Sequence, residues 1–276
     1  MAKAWTSIES SAATDGRFHT TRWGMVFSAQ TADPHVDSQT ALNELCTAYW
    51  LPLYVWTLRK GHDRVAAQDL TQAFFVHLLE GDALRNVDPG KGKFRSFLLA
   101  SYQNFLANEH DKQTTLKRGG GTVFLPLDDP RLEAQFAALA DGEPTPDVAY
   151  DRSWALTLIQ RTLGLLRRDY ADSGKSEQFA LLQPYLSADS AGPPYQETAE
   201  RMGMSLSGVK MAILRLRRRF GELIRGEIAH TVLTSSQIDE ELEVLFGALA
   251  GHRASEGAPT VSPETGVPRR WGEKGG

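Results

Sequence analysis

The stretch from Tyr195 to Phe220 constrains the fold of this chain more than any other part of it. Its apolar residues recur at steps of three and four, which is the spacing of one face of an α-helix. Gly203 separates two such pieces. The residue that follows the end of a helix often has a positive φ, and glycine adopts that conformation easily. Ser205 then stands where the N-cap of the second helix is expected. The pattern predicts two helices joined by a tight turn.

The second of these helices has one apolar face and one basic face. We expect its inward face to carry Leu206, Val209, Ile213, Leu216 and Phe220, and its outward face to carry Lys210, Met211, Leu214, Arg215, Arg218 and Arg219. Residues 205–220 contain five basic residues and no acidic one, a charge of +5, whereas the whole chain carries −4. This is typical of a helix-turn-helix whose second helix lies in the DNA major groove. A helical hairpin with a solvated basic face is the alternative.

Composition excludes several classes of protein. The 276 residues are 41% hydrophobic, enough for a buried core and two small domains. Cys46 is the single cysteine, which excludes an internal disulfide and a cysteine-based zinc site and suits a reducing cytoplasm. The first residues contain no apolar run of signal-peptide length, and Pro52 interrupts the longest apolar run, residues 49–56, so we expect no membrane span. Alternating strand patterns are nearly absent, which predicts an all-α fold.

Changes in charge and in Gly and Pro content divide the chain into six segments. We predict a flexible leader (1–20), a first helical domain (21–118), an acidic linker (119–150), a helix-turn-helix domain (151–228), an amphipathic C-terminal helix (229–250) and a disordered tail (251–276). Residues 126–151 contain seven acidic residues and one arginine, a charge of −6, and include Pro144 and Pro146, so we expect this linker to be extended.

The first domain is predicted to contain helices near residues 22–30, 38–59, 63–79 and 94–112, with the second bent or restarted at Pro52. We assign its aromatic residues to the core: Trp23, Phe27, Tyr49, Trp50, Tyr54 and Trp56. In helix 63–79 we expect Ala67, Leu70, Phe74 and Leu78 to point inward. Asp69, Gln72 and Phe75 are expected on its outer face, where a large apolar residue beside polar ones indicates a protein-docking surface.

Basic residues flank the helix predicted over residues 94–112. Residues 91–118 contain six basic and two acidic residues, a charge of +4. We expect Phe94, Phe97, Leu98, Ser101, Phe105 and Asn108 near one stripe of this helix. Tyr102, Gln103 and Asn104 lie between the two basic groups, and aromatic and amide side chains among basic groups suit single-stranded DNA.

The second half of the chain is predicted to continue with further helices. They cover residues 151–169, with Trp154, Leu158, Leu163 and Leu166 inward, then 175–186, and the second helix of the pair runs on toward His230. In the last helix, capped by Ser236, we expect Ile238, Leu242, Leu245 and Leu249 inward and Asp239, Glu240, Glu241 and Glu243 outward.

The order of these motifs resembles that of the bacterial extracytoplasmic-function sigma factors, a longer variety with a C-terminal extension. The first module, with Asp69-Leu70-Thr71-Gln72-Ala73-Phe74-Phe75, is similar to sigma region two, and residues 195–220 are similar to region four. The resemblance covers about residues 22–228. It implies a cytoplasmic transcription initiation factor, nucleoid-associated when bound to polymerase, that directs core RNA polymerase to promoters. It also leaves open whether an anti-sigma factor or another regulator binds the chain.

The resemblance implies three sets of site residues. Contacts to the −35 promoter element are assigned to Ser207, Lys210, Met211, Leu214, Arg215 and Arg218. Contacts to the −10 element are assigned to Lys93, Arg95, Tyr102, Asn104, Lys112 and Lys117. Binding to the β′ clamp helices of polymerase is assigned to Asp69, Gln72 and Phe75, and region four implies a further contact with the β flap.

No pattern in the sequence indicates an enzyme. The seven histidines are scattered without an HExxH motif, residues 90–93 lack the spacing and the hydroxyl residue of a phosphate loop, and no Gly-x-Ser-x-Gly occurs. We therefore predict no catalytic residue, no metal site and no cofactor. Two alternatives stay open: an autonomous helix-turn-helix repressor or activator, and an adaptor whose basic helices bind acidic proteins.

Overall fold

Helices make up the regular secondary structure of the residues that the computed structural model describes, which are 36–80, 93–113, 145–187 and 192–250. The helices are α1 (Val36–Arg59), α2 (Arg64–Glu80), α3 (Phe94–Gln113), α4 (Pro146–Asp172), α5 (Ser176–Leu182), α6 (Tyr195–Met202), α7 (Leu206–Ala229) and α8 (Ser236–Leu249), with a 3₁₀ turn at Gln183–Leu186 after α5. The prediction of an all-α fold is confirmed for these residues, which include no strand. None of the helices in these four ranges is long and apolar enough to cross a membrane.

The longest helix, α4, begins inside the segment predicted to be an extended linker. Thr145 is its N-cap, and the side chain of Thr145 accepts a hydrogen bond from the backbone N–H of Val148 at 3.3 Å. Pro146 follows at the first helical position, where its missing N–H costs nothing. The prediction of an extended chain is therefore wrong for residues 146–150, while residues 119–144 lie outside the described ranges.

Helix α1 runs without interruption through Pro52, so the predicted restart there does not occur. A proline removes one backbone hydrogen bond from a helix interior. Tertiary packing offsets that loss, because Tyr49, Leu53 and Trp56 on either side of Pro52 are buried. The predicted helix at 22–30, with Trp23 and Phe27, lies outside the described residues.

The larger of two buried clusters joins the first three helices to α4, α7 and α8. The aromatic residues assigned to the core are confirmed there at Tyr49, Trp50, Tyr54 and Trp56. Trp154 of α4 donates its indole N–H to the hydroxyl of Tyr49 at 3.1 Å. Late α7 and α8 add Ile224, Ile228, Leu245 and Ala248. Buried contacts therefore continue across the boundaries predicted between the first domain, the helix-turn-helix domain and the C-terminal helix.

The smaller cluster holds the helix-turn-helix together. It consists of Leu166, Phe179, Leu182, Tyr185, Ala199, Val209, Ala212, Ile213 and Leu216. The hydroxyl of Tyr185 lies 2.6 Å from the hydroxyl of Thr198 and donates to the carbonyl of Pro193 at 2.7 Å. The segment before α6 is thus fixed against the 3₁₀ turn, which sets the direction in which the first helix of the pair begins.

Four side chains outside the predicted site sets lie on a different side of their helix from the one predicted. Asn108 and Leu206 are exposed, Glu241 is fully buried, and Leu249 is 37% exposed. Leu206 is the first residue of α7, directly after the turn. Helix α8 is rotated so that Glu241, Leu245 and Ala248, at steps of four and three, face the core.

Cys46 provides a direct test of the larger core. Its side chain is buried, and burial raises the pKa of the thiol to about 12. The thiolate is the reactive form, so we expect the native chain not to react with a thiol reagent such as Ellman's reagent at pH 8. One thiol per chain should react after unfolding in urea. Rapid labelling of the native chain would contradict the packing of α1.

Candidate nucleic-acid interface

The turn between α6 and α7 has the geometry predicted from Gly203. Gly203 adopts the left-handed conformation with φ 61° and ψ 33°. The next backbone N–H, of Met204, donates to the carbonyl of Ala199 at 3.0 Å. Ser205 is confirmed as the N-cap of α7, since its hydroxyl accepts from the N–H of Gly208 at 3.2 Å. Ala199 is buried where the two helices meet, as expected for a close crossing.

The outward face of α7 is exposed as predicted. Its exposed residues include all six assigned to the −35 element: Ser207, Lys210, Met211, Leu214, Arg215 and Arg218. On the opposite face Val209, Ile213 and Leu216 are buried. The structure therefore brings the six predicted residues together on one solvent-facing helix surface.

Three of the five basic residues between positions 205 and 220 have partners within the chain. Arg217 donates to the carbonyl of Tyr185 at 3.1 and 2.9 Å, at the end of the 3₁₀ turn. Arg219 pairs with Asp169 at 2.5 Å, and Arg218 pairs with Glu222 at 3.2 Å. In contrast, Lys210 and Arg215 make no ion pair with any described residue. Lys210 and Arg215 are therefore the cations of this face without an ion pair among the described residues, while Arg218 remains 82% exposed in its surface pair.

Arg95, assigned to the −10 element, is turned into the protein. Its side chain is 12% exposed and forms two hydrogen bonds to the fully buried carboxylate of Glu241, at 3.0 and 3.2 Å. It also pairs with Asp151, and its guanidinium lies 5.1 Å from the centre of the Trp154 ring. The expectation that Arg95 is available to DNA is wrong for this structure, because α4 and α8 cover it.

Electrostatics within this cluster keep its charges paired. Burial alone would lower the pKa of Arg95, but Glu241 and Asp151 raise that pKa above its ordinary value, so the guanidinium stays charged. Burial raises the pKa of Asp151, and the positive charge of Arg95 opposes that increase. Lys93 completes the cluster, with its ammonium 2.7 Å from Glu240 and 3.5 Å from Glu241. Lys93 is thus partly neutralised as a DNA contact.

Tyr102 is the second residue of the −10 set that DNA cannot reach in this structure. Its side chain is buried, and its hydroxyl lies 2.6 Å from that of Thr57 and 3.2 Å from that of Thr71. Tyr102 follows Phe94 and Leu98 at steps of four, and all three face the core. Tyr102 is buried because α1 and α2 pack against this face of α3.

Of the other residues assigned to the −10 element, one is exposed and two have side chains that the structure does not describe. Asn104 is exposed, together with the neighbouring Gln103. The side chain of Lys112 and the whole of Lys117 lie outside what the structure describes. Asn104 is therefore the residue of this set on α3 that is exposed, and Gln103 is exposed beside it.

Only one of the three residues assigned to polymerase binding is exposed to solvent. Asp69 is exposed, but Gln72 is 9% exposed and Phe75 is fully buried. Phe75 packs beside Phe74, with ring centres 5.5 Å apart. The predicted exposure of Gln72 and Phe75 is wrong because α2 contacts both α1 and α3, so two of its faces are covered.

Sequence reasoning missed the cluster around Arg95 and Glu241. The two residues are 146 positions apart, and their pairing is visible only in three dimensions. One signal was present: Glu241 precedes Leu245 by four residues and follows Ile238 by three, which puts it on the apolar stripe of α8. An acidic residue on such a stripe indicates a buried partner of opposite charge.

The exposed face of α7 combines two cations without ion pairs among the described residues, the exposed Arg218, and small and apolar side chains, which are kinds of group that contact duplex DNA in other proteins. No protein-family model, no curated protein and no solved structure matches this chain. What the face can bind is therefore deduced from its own side chains and from the fold that presents them.

Proposed function

We propose that this chain is a promoter-specificity factor of bacterial transcription, similar to the extracytoplasmic-function sigma factors, which binds core RNA polymerase and directs it to specific promoters. The observation that carries the proposal is the helix-turn-helix of α6 and α7, which presents Lys210 and Arg215 without acidic partners. In this proposal α7 recognises the −35 element in the major groove, and α3 contributes to the −10 element through Asn104.

The arrangement in sequence supports a sigma-like role over a lone helix-turn-helix. A region-two-like module at 21–118 precedes a region-four-like module at 151–228, with an acidic linker between them. Asp69 remains exposed on α2 for the β′ clamp helices, and a β-flap contact would involve the second module. The partners implied are core polymerase and promoter DNA.

Transcription from purified components tests the proposal. Core RNA polymerase is incubated with a library of genomic fragments, with and without the full chain, and the transcripts are sequenced. We expect defined start sites that appear only with the chain. Identical transcripts with and without the chain would refute the proposal.

The exposed carboxylate of Asp69 provides a specific test of polymerase binding. We expect Asp69→Ala to weaken co-purification with core polymerase by about tenfold, which corresponds to ~1.4 kcal/mol. The unfolding midpoint should not change, because Asp69 is exposed. Asp172→Ala, which removes an exposed acid at the end of α4, serves as the matched control. Equal binding by the two variants would eliminate Asp69 as a contact.

The burial of other predicted site residues favours one alternative, an autonomous helix-turn-helix repressor or activator. Phe75, Tyr102 and Arg95 are covered in this structure, and late α7 shares a core with the first three helices. The first module could then serve as a rigid support for the DNA-binding helix. Such a regulator binds its operator without polymerase at about 10⁻⁸–10⁻¹¹ M. A duplex titration without polymerase distinguishes the two functions.

A further inference from the structure

We infer that the exposed face of α7 recognises thymine methyl groups through Met211 and Leu214, while Lys210 and Arg215 contact phosphates on either side. The inference rests on the proposed function, because it assumes that α7 lies in the major groove of a duplex. It adds the chemical identity of the target: an element with thymines at the positions that face the centre of the helix.

The order of side chains around α7 is the first argument. Residues of an α-helix are separated by about 100° around its axis, so the order across the exposed face is Lys210, Leu214, Ser207, Arg218, Met211, Arg215, over an arc of about 140°. The two cations without an ion pair, Lys210 and Arg215, are at the edges of the arc. Leu214 and Met211 are nearer its centre, and Arg218, one turn further along α7 at a similar angle, pairs with Glu222. A helix in the major groove directs the edges of its exposed face toward the phosphate backbones and its centre toward the base pairs.

Exposure of the two apolar residues is the second argument. Leu214 is 59% exposed and Met211 is 48% exposed, although Val209, Ile213 and Leu216 on the same helix are buried. Both lie beside unpaired cations on a face without any acidic residue from 205 to 220. Apolar side chains between unpaired cations fit a ligand that is polyanionic at its edges and carries apolar groups between them.

The position of Lys210 supports the assignment of the edges. Its ammonium lies 5.9 Å from the centre of the Tyr195 ring, at the first residue of α6. In helix-turn-helix complexes the first helix of the pair crosses the DNA backbone. Lys210 is therefore on the side of α7 where a phosphate is expected.

The chemistry of the groove then selects thymine. Leucine has no hydrogen-bonding group and methionine only a weak acceptor, so neither can distinguish bases by donors and acceptors. In the major groove thymine presents a C5 methyl group, and apolar side chains recognise thymine through that group. Ser207 lies between Leu214 and Met211 in angle, one turn before Met211. Its hydroxyl can form a hydrogen bond with any base.

Replacing thymine with uracil tests the inference without changing base pairing. The full chain with core polymerase first selects binding sites from a random duplex library, and each thymine of the selected upstream element is then replaced singly by deoxyuridine. We expect at least one replacement to lower affinity about fourfold, the effect of one buried methyl group. Met211→Ala or Leu214→Ala should remove the difference between thymine and uracil at that position. Leu206→Ala, at a residue 45% exposed but outside the arc, should retain it.

The failures of the inference and of the proposed function give different results. A selected element that lacks thymines, or equal affinity for thymine and uracil duplexes, would overturn the thymine inference and leave the promoter function standing. Loss of the difference in Leu206→Ala as well would overturn the assignment to Met211 and Leu214. No selected sequence together with no polymerase-dependent transcript would overturn the proposed function and the inference with it.

Discussion

Replacing Arg95 with alanine is expected to lower the free energy of unfolding by about 3–5 kcal/mol. The substitution leaves the carboxylate of Glu241 fully buried, with only the ammonium of Lys93 nearby at 3.5 Å. A buried charge without its partner is costly, whereas the intact pair is compensated by two hydrogen bonds. The measurement is urea denaturation of the full chain at pH 7, monitored by circular dichroism.

A surface ion pair whose acidic residue also lies on α8 provides the matched control. Arg225 pairs with Asp239 of α8 at 3.0 Å, and both side chains are more than half exposed. We expect Arg225→Ala to change the free energy of unfolding by less than about 1 kcal/mol. If Arg95→Ala costs no more than Arg225→Ala, the buried cluster does not stabilise the contact between α3 and α8. Replacing Arg95 and Glu241 together by Met and Leu should recover much of the loss.

Replacing Lys210 or Arg215 with alanine is expected to weaken DNA binding by the complex with polymerase about tenfold for each residue, on every sequence alike. The reason is that both residues are exposed, lack acidic partners among the described residues and lie at the edges of the face of α7 that we propose binds DNA. Each substitution should reduce the slope of log affinity against log salt by about 1, and the double variant by about 2. The measurement is a duplex titration at several salt concentrations.

Arg217 provides the control for this second prediction. It has the same charge on the same helix, but it donates to the carbonyl of Tyr185 within the chain. Arg217→Ala should therefore leave the salt slope nearly unchanged. A variant of Arg215 that changes sequence preference at one position, with the slope unaltered, would instead indicate a direct contact between Arg215 and a base.

The acidic linker is expected to reduce DNA binding by the free chain. Residues 126–151 carry a charge of −6 in the same chain as the basic face of α7, so we expect the free chain to bind promoter duplex poorly. A fragment from residue 151 to 228 would not be a clean comparison, because Trp154 and Ile228 pack against the first three helices in the intact chain. Charge-neutral substitutions in the linker of the full chain are the better test.

Local chemistry was sufficient to predict where several helices begin and end. Gly203 adopts a positive φ because a residue without Cβ does so at little cost, and Ser205 caps α7 through a hydrogen bond to a residue three positions away. The alternation of buried and exposed residues along α7 follows from its helical period. That period is also a local property of the sequence. These features depend on residues within one or two turns of each other, so the sequence alone determined the helix-turn-helix and its outward face.

Only the tertiary structure decided which of the other faces are covered. Phe75 and Gln72 are buried because α2 lies between two helices, and Tyr102 is buried because its hydroxyl meets Thr57 and Thr71 from α1 and α2. Arg95 meets Glu241 across 146 positions of sequence. Burial of a side chain is a property of the elements that pack against it, and helical periodicity limits only the direction in which that side chain points. The exposed residues of α7 were therefore predictable, whereas the coverage of α2 and α3 depended on contacts between residues far apart in the chain.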